Sequence, residues 1–113
     1  MVARNPLLSA PPYLVEQTLK TLGANLRTAR LRRNLTLQEV AEKIGVERHA
    51  VAAAEKGKPS TGIAVYAAHL WVLGLVDQLG DVAAPERDDE GTILARAQER
   101  SRARQPTERD DDF

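Results

Sequence analysis

The side chains in this sequence that could do chemistry are mainly charged, with 16 Lys or Arg and 16 Asp or Glu. The 113 residues include no cysteine and only two histidines, His49 and His69. Neither has a carboxylate or a second histidine at metal-ligand spacing, so we expect both at a surface or an interface. There is also no glycine-rich phosphate loop and no nucleophile paired with a base. We therefore expect no enzymatic activity, no metal and no cofactor.

The charges are separated along the chain, although the formal net charge is zero. Residues 20–58 contain nine Lys or Arg and four acids, whereas residues 77–113 contain eleven acids and six Arg. Each part carries a surplus of five charges, positive in the first and negative in the second. A solvated charged face is the alternative, but such faces usually mix signs. The basic part therefore indicates a surface that binds a polyanion such as nucleic acid.

Two short amphipathic helices are predicted inside this basic part. Thr36 and Glu39 have the spacing of a capping box, which begins a helix. The apolar residues of that helix recur on one face at Leu37, Val40, Ala41 and Ile44. Gly45 is expected to end it in the left-handed conformation, and the helical period then resumes from Glu47 to Gly57. The pattern predicts a helix-turn-helix.

The residues around this corner resemble the helix-turn-helix of the Cro/C1-type (XRE) family of DNA-binding repressors. The resemblance depends on Ala41, Gly45, Val46, Val51 and the run Glu55-Lys56-Gly57, and it covers about residues 22–75. In that family the second helix enters the major groove. The resemblance implies an all-α fold, a compact bundle of about five helices, that binds duplex DNA. An ordinary corner between two helices is the alternative.

Seven residues are candidates for contact with DNA. They are Gln38, Arg48, His49, Lys56, Lys58, Arg27 and Arg30. Arg48, at the start of the second helix, is the best candidate for paired hydrogen bonds with a guanine. The lysines and the arginines between residues 27 and 33 are expected to bind phosphate, although some of these arginines also stabilise a helix end. Family members often have Gln at the position of Leu37, and the second helix here is rich in alanine, so base reading should be loose.

The first third of the chain is predicted to be an arm followed by a long helix. Residues 1–12 contain three prolines and no helical period, so we expect an extended arm. From residue 13 to about residue 33 one apolar stripe predicts a helix, with Gly23 as a point where two helices could meet. The stripe consists of Val15, Leu19, Leu22, Leu26 and Ala29.

Residues 59–76 contain no charged side chain, which predicts a helix covered on more than one side. A membrane span is the alternative, but the run is shorter than the roughly 20 residues that a bilayer requires and includes His69 and Gly74. One side is expected to pack on the helix-turn-helix through Ile63, Tyr66, Leu70 and Leu73. The other is predicted to form a homodimer interface through Trp71, Val65, Ala68 and Val72.

The C-terminal residues 85–113 are predicted to be a charged extension of a domain formed by residues 13–84. Ile93, Leu94 and Ala97 form a thin apolar seam, so a short helix over about residues 92–103 is expected, with a disordered tail from residue 105. The tail ends in Asp110, Asp111, Asp112 and Phe113, which is typical of a peptide that docks on a basic partner. A solubilising tail is the alternative.

A narrower resemblance is to HipB-like antitoxins, carried by the overall order of NPLLSAPPY, LGANLRTARLRRN, the helix-turn-helix and EKGKPSTGIAVYAAHLWVLGLVDQL. It implies a dimeric repressor of its own operon, the antitoxin of a type II toxin-antitoxin system, that binds a HipA-like serine/threonine kinase toxin. Without a signal peptide, a cytoplasmic location is expected. The alternative function is an interaction module that keeps the helix-turn-helix as a scaffold.

Overall fold

The computed structural model describes residues 5–104, which form seven α-helices, one turn of 3-10 helix and no strand. The elements are α1 Pro6–Ser9, α2 Tyr13–Arg32, α3 Leu37–Ile44, α4 Arg48–Glu55, α5 Ile63–Val72, α6 Asp77–Gly80, a 3-10 turn Pro85–Arg87 and α7 Asp89–Arg104. The predicted all-α fold is confirmed. No helix in residues 5–104 is both long enough and apolar enough to cross a membrane. The chain divides into two compact units, one ending at Leu79 and the other beginning at Gly80.

The N-terminal arm is not extended throughout, because Pro6–Ser9 forms one helical turn. The side chain of Asn5 accepts a hydrogen bond from the amide of Leu7, and Pro6 stands at the first helical position, where its missing N–H costs nothing. Helix α2 then runs without a break from Tyr13 to Arg32.

Gly23 lies within α2 because another helix approaches it closely. A Cβ atom at this position would lie 2.5 Å from the carbonyl oxygen of Glu55 and 2.7 Å from that of Ala54. The glycine is therefore the contact point between α2 and α4. The predicted long helix is continuous through it, and the alternative of two helices meeting at Gly23 is wrong.

The predicted helix-turn-helix is confirmed in α3 and α4. Thr36 Oγ1 accepts a hydrogen bond from the amide of Glu39 at 3.0 Å, and Glu39 Oε1 accepts one from the amide of Thr36 at 2.8 Å. These two bonds complete the capping box, and the backbone bond to Thr36 holds the pKa of Glu39 below its ordinary value. Gly45 follows in the left-handed conformation with φ of 80°, and its amide donates to the carbonyl of Ala41.

Two clusters of buried side chains hold the first unit together. One consists of Leu26, Ala54, Tyr66, Leu70 and Leu73, and the other of Val40, Ala41 and Val51. Helix α5 therefore packs on the helix-turn-helix through three of the four residues expected on that side. Ile63 is the exception, since it begins α5 and remains 67% exposed.

The second unit contains the predicted C-terminal helix, which begins three residues earlier than expected. Asp88 Oδ1 accepts a hydrogen bond from the amide of Gly91 at 3.0 Å, and α7 follows from Asp89 to Arg104. No residue of α7 is buried.

Candidate nucleic-acid interface

An open groove of about 460 Å³ lies where the C-terminal end of α2 meets the first residues of α3 and α4. Its lining includes Thr36, Leu37, Gln38 and Arg48. Three of the residues expected to contact DNA, Arg30, Gln38 and Arg48, therefore line one concave surface. This surface presents an amide and a guanidinium, which are both groups that can donate hydrogen bonds to the edges of bases.

Arg48 is the first residue of α4, and it is exposed. Its side chain makes no hydrogen bond or ion pair with any other residue in the described range 5–104. The preceding residue, Glu47, is extended and makes no side-chain cap on the helix. The start of α4 therefore combines an available guanidinium with uncapped backbone amides, and both attract an anion or a base acceptor.

Gln38 is exposed, but its side chain already has a partner. Its Nε2 atom donates a hydrogen bond to Glu42 Oε2 at 3.1 Å, one turn further along α3. Leu37, beside it, is half-buried and packs on the cluster around Val40. A DNA contact by Gln38 would therefore require only that an exposed side-chain bond be exchanged, whereas Leu37 belongs to the core.

The outward face of α4 has polar residues at its ends and alanines between them. His49 and Lys56 are exposed, whereas Ala52 and Ala53 are half-buried. The imidazole of His49 lies 3.9 Å from the carboxylate of Glu47, and both side chains are more than 80% exposed. This face offers small apolar surfaces in its middle, so only its two ends carry side chains that are able to form hydrogen bonds with bases.

Lys58 and Arg27 are also exposed, but neither they nor His49 and Lys56 line the groove of Gln38 and Arg48. The backbone of Lys58 is fixed because its carbonyl accepts a hydrogen bond from the Tyr66 hydroxyl at 2.9 Å. Burial raises the pKa of that tyrosine. A fixed backbone whose ammonium group has no partner among residues 5–104 is a suitable arrangement for phosphate binding.

The prediction that Arg30 contacts DNA is wrong. Its Nε and Nη2 atoms donate to the two carboxylate oxygens of Glu55 at 2.6 and 2.9 Å, and its Nη1 atom donates to the carbonyl of Leu35 at 2.8 Å. The side chain is only 8% exposed. Every nitrogen of the guanidinium is used inside the protein, so Arg30 holds α2 to α4 and to the loop before α3.

His69 is also inside the protein, which makes the expected surface or interface position wrong. Its side chain is 0% exposed, and Nε2 lies 2.8 Å from Glu55 Oε2. Burial would raise the pKa of Glu55, but the hydrogen bonds from Arg30 and His69 outweigh it and hold the pKa below its ordinary value. Because Glu55 is ionised, His69 Nε2 must carry the hydrogen and donate it. We call Arg30, Glu55 and His69 the core network.

The core network could have been found from helical register. Arg30 follows Leu26 by four residues, Glu55 follows Val51 by four, and His69 follows Tyr66 by three. Each polar residue therefore lies on the buried face of its own helix. Arg30 and Glu55 cancel each other's charge, so the surplus of five positive charges between residues 20 and 58 lies on exposed side chains.

The helix-turn-helix domain family matches residues 21–82, more than half of the chain. This chain belongs to that family. The matched residues include all of α3, α4 and α5, and they include Arg30, Gln38 and Arg48 of the groove. The protein thus carries a DNA-binding domain of the kind found in regulators. Comparisons with curated proteins and with solved structures gave no match.

In this helix-turn-helix protein, the four residues expected at a dimer interface differ in their surroundings. Trp71 is 61% exposed. Val65 and Val72 are half-buried because they pack against the two core clusters of their own chain, and Ala68 is half-buried as well. Trp71 is therefore the one large side chain of the four that a second molecule could cover.

The residues expected to bind a partner, Asp110, Asp111, Asp112 and Phe113, lie outside the described residues.

Proposed function

We propose that this helix-turn-helix protein is a transcriptional repressor that binds a two-fold operator as a dimer, with α4 of each copy in the major groove. The observation that carries the proposal is the position of Arg48. It begins α4, it is exposed, it has no partner among residues 5–104, and it shares a groove with Gln38. Half-sites about one helical turn of DNA apart would fit such a dimer.

Two kinds of contact have separate roles in this proposal. Arg48 reads a guanine through two parallel hydrogen bonds, which would contribute about 1–3 kcal/mol of discrimination against other bases. Lys56, Lys58 and Arg27 bind phosphates and so contribute affinity that falls with salt. The alanines in the middle of α4 add little beyond contact with a thymine methyl group.

The test is a comparison of matched variants on a DNA sequence selected from a random pool and on unselected DNA. Arg48→Ala should lose most of its binding to the selected DNA, and Arg48→Lys should lose nearly as much because lysine keeps the charge without the fork. Lys58→Ala should weaken binding to both DNAs and reduce the salt slope by about one. Arg87→Ala, which removes the same charge from an exposed position in the second unit, is the control.

Fluorescence anisotropy at several salt concentrations measures all four variants. If Arg48→Ala weakens binding to the selected and unselected DNA by the same factor, Arg48 reads no base.

The alternative function, a protein-interaction module that keeps the helix-turn-helix as a scaffold, is favoured by the alanine-rich α4. That function predicts that no sequence is enriched from the random pool.

We further propose that the protein is the antitoxin of a toxin-antitoxin pair and binds a HipA-like kinase. The resemblance to HipB-like antitoxins supports this, and so does the surplus of acids in residues 77–113, which suits a partner with a basic surface. The test is co-expression with the kinase-like product of a neighbouring reading frame, followed by co-purification and rescue of growth. Growth that does not recover would reject the antitoxin role and leave the DNA-binding proposal standing.

A further inference from the structure

Helix α7 uses only one of its faces within its own unit. It lies against the 3-10 turn Pro85–Arg87, and a cleft of about 270 Å³ there is lined by Ala83, Pro85, Asp88, Gly91, Thr92 and Ala95. Ala97 lies two residues beyond Ala95 and therefore about 200° further round the helix. On that far side Ile93 and Leu94 are 64% and 56% exposed. This part of α7 is apolar and uncovered in the described chain.

The uncovered face has a regular order of charge. Glu90, Ile93, Ala97, Arg100 and Arg104 follow one another at alternating steps of three and four residues, so they form one stripe along the helix. All five are exposed. The α7 stripe has an acid at its start, a base at its end, and its smallest side chain, Ala97, midway between them.

We propose that the α7 stripe pairs with the same stripe of a second copy of this chain, with the two helices antiparallel. A two-fold axis at Ala97 places Glu90 of each copy opposite Arg104 of the other. The same axis places Ile93 beside the aliphatic part of the other copy's Arg100, and the small Ala97 lets the backbones approach. A parallel arrangement would instead set Glu90 beside Glu90 and Arg104 beside Arg104, which is repulsive. The charge order therefore selects a self-complementary, isologous contact.

This contact is small. A helix of 16 residues is about 24 Å long, so two of them bury less surface than the roughly 1,200–2,000 Å² of a stable interface. Pairing through α7 is therefore weak by itself and becomes effective when another contact holds two copies together. The proposal does not depend on DNA binding, on a kinase partner or on the interface at Trp71.

The chain offers a direct test because it contains no cysteine, so one introduced cysteine is its only thiol. Ala97→Cys on the full chain should form a disulfide-linked dimer under mild oxidation, since the two thiols meet at the axis. Gln98→Cys is the matched control, one residue along and about 100° round the helix. Both are made with Trp71→Asp, so that an interface at Trp71 does not bring the copies together. Equal rates of cross-linking for the two variants overturn the proposal.

A charge exchange tests the antiparallel order. Made with Trp71→Asp, Glu90→Arg and Arg104→Glu should each lower the association constant about tenfold, because a symmetric dimer contains the pair twice. The double exchange in the same background should restore it to within about threefold. Glu90 and Arg104 also complement the dipole of their own helix. If that were their only role, the double exchange would have the lowest association constant of the three variants. Sedimentation equilibrium at high concentration measures association, and circular dichroism confirms that the helix persists. A double variant weaker than both single variants, or a chain that never associates, overturns the pairing.

Discussion

Removing Arg30 from the core network should cost the first unit much of its stability. Arg30→Met keeps a side chain of similar length but deletes the hydrogen bonds of 2.6 and 2.9 Å to Glu55 and the one of 2.8 Å to the Leu35 carbonyl. Glu55 is then a buried carboxylate whose Oε1 atom has lost its partner. Breaking a buried ion pair in this way costs about 3–5 kcal/mol. A domain's whole free energy of unfolding is only about 5–15 kcal/mol.

The loss of stability in Arg30→Met should also depend on pH, and the protonation of Glu55 determines in which direction it changes. In the wild type the folded-state pKa of Glu55 is lowered, so its contribution is present above the ordinary carboxylate pKa of about 4.3 and is lost as pH falls through the folded value. In Arg30→Met the buried carboxylate of Glu55 has lost the cation that keeps it ionised, so it takes up a proton more readily. The folded variant then binds more protons than the unfolded chain, so its deficit relative to the wild type should shrink from pH 7 to pH 4.

Urea unfolding followed by circular dichroism at several pH values measures both effects. The control is Arg33→Met, which removes an exposed arginine whose Nη1 atom donates to the Ala29 carbonyl at 2.8 Å, and which should change stability by less than about 1 kcal/mol. The double variant Arg30→Met/Glu55→Met should recover part of the loss, because no unpaired charge remains but the buried Nε2 of His69 loses its acceptor. A deficit that stays constant with pH, or is no larger than in Arg33→Met, would refute this account of the core network.

Three further outcomes are expected. Gly23→Ala should lower the free energy of unfolding by about 1–3 kcal/mol, because its Cβ would lie 2.5 Å from the Glu55 carbonyl oxygen. Gly62→Ala is the control and should be nearly neutral, because nothing lies within 4 Å of its Cβ. Equal effects of the two substitutions in urea unfolding would contradict the close approach of α4 to Gly23. Trp71→Asp should sediment as a monomer at concentrations at which the wild type is dimeric, and a variant that remains dimeric would place the interface elsewhere. Truncation after Gln105 should preserve DNA binding and weaken neutralisation of the kinase, so unchanged neutralisation would assign the tail a solubilising role only.

The helix-turn-helix could be predicted from the sequence because its signals are local. Thr36 and Glu39 satisfy each other's backbone over three residues, and Gly45 is chosen by the conformation of one residue. The exposure of Arg48 and Lys58 could also be predicted, because neither residue falls on the apolar face that their neighbours in the sequence define. The one-turn helix at Pro6 had a local signal as well, an Asn before a Pro, but the count of prolines concealed it.

The core network could not be predicted from charge counts because it joins residues far apart in the sequence. Glu55 lies 25 residues from Arg30 and 14 residues before His69, and each side chain taken alone belongs to a type that is usually exposed. Only the pairing makes their burial tolerable, since a buried charge must be neutralised and hydrogen-bonded. Counting Arg30 with Arg27 as a phosphate ligand therefore mistook a core residue for a surface one.

The position of this core network has a consequence for how α4 presents Arg48. Glu55 and Arg48 are the two ends of the same helix, about 10 Å apart along its axis. Glu55 is held from one side by Arg30 of α2 and from another by His69 of α5, and the close approach at Gly23 fixes the helix backbone beside it. One end of α4 is therefore locked inside the domain while the other projects a guanidinium from its surface. Paired hydrogen bonds to a guanine tolerate little error in direction, so the proposed base reading by Arg48 would depend on the orientation of α4 that the buried ion pair fixes.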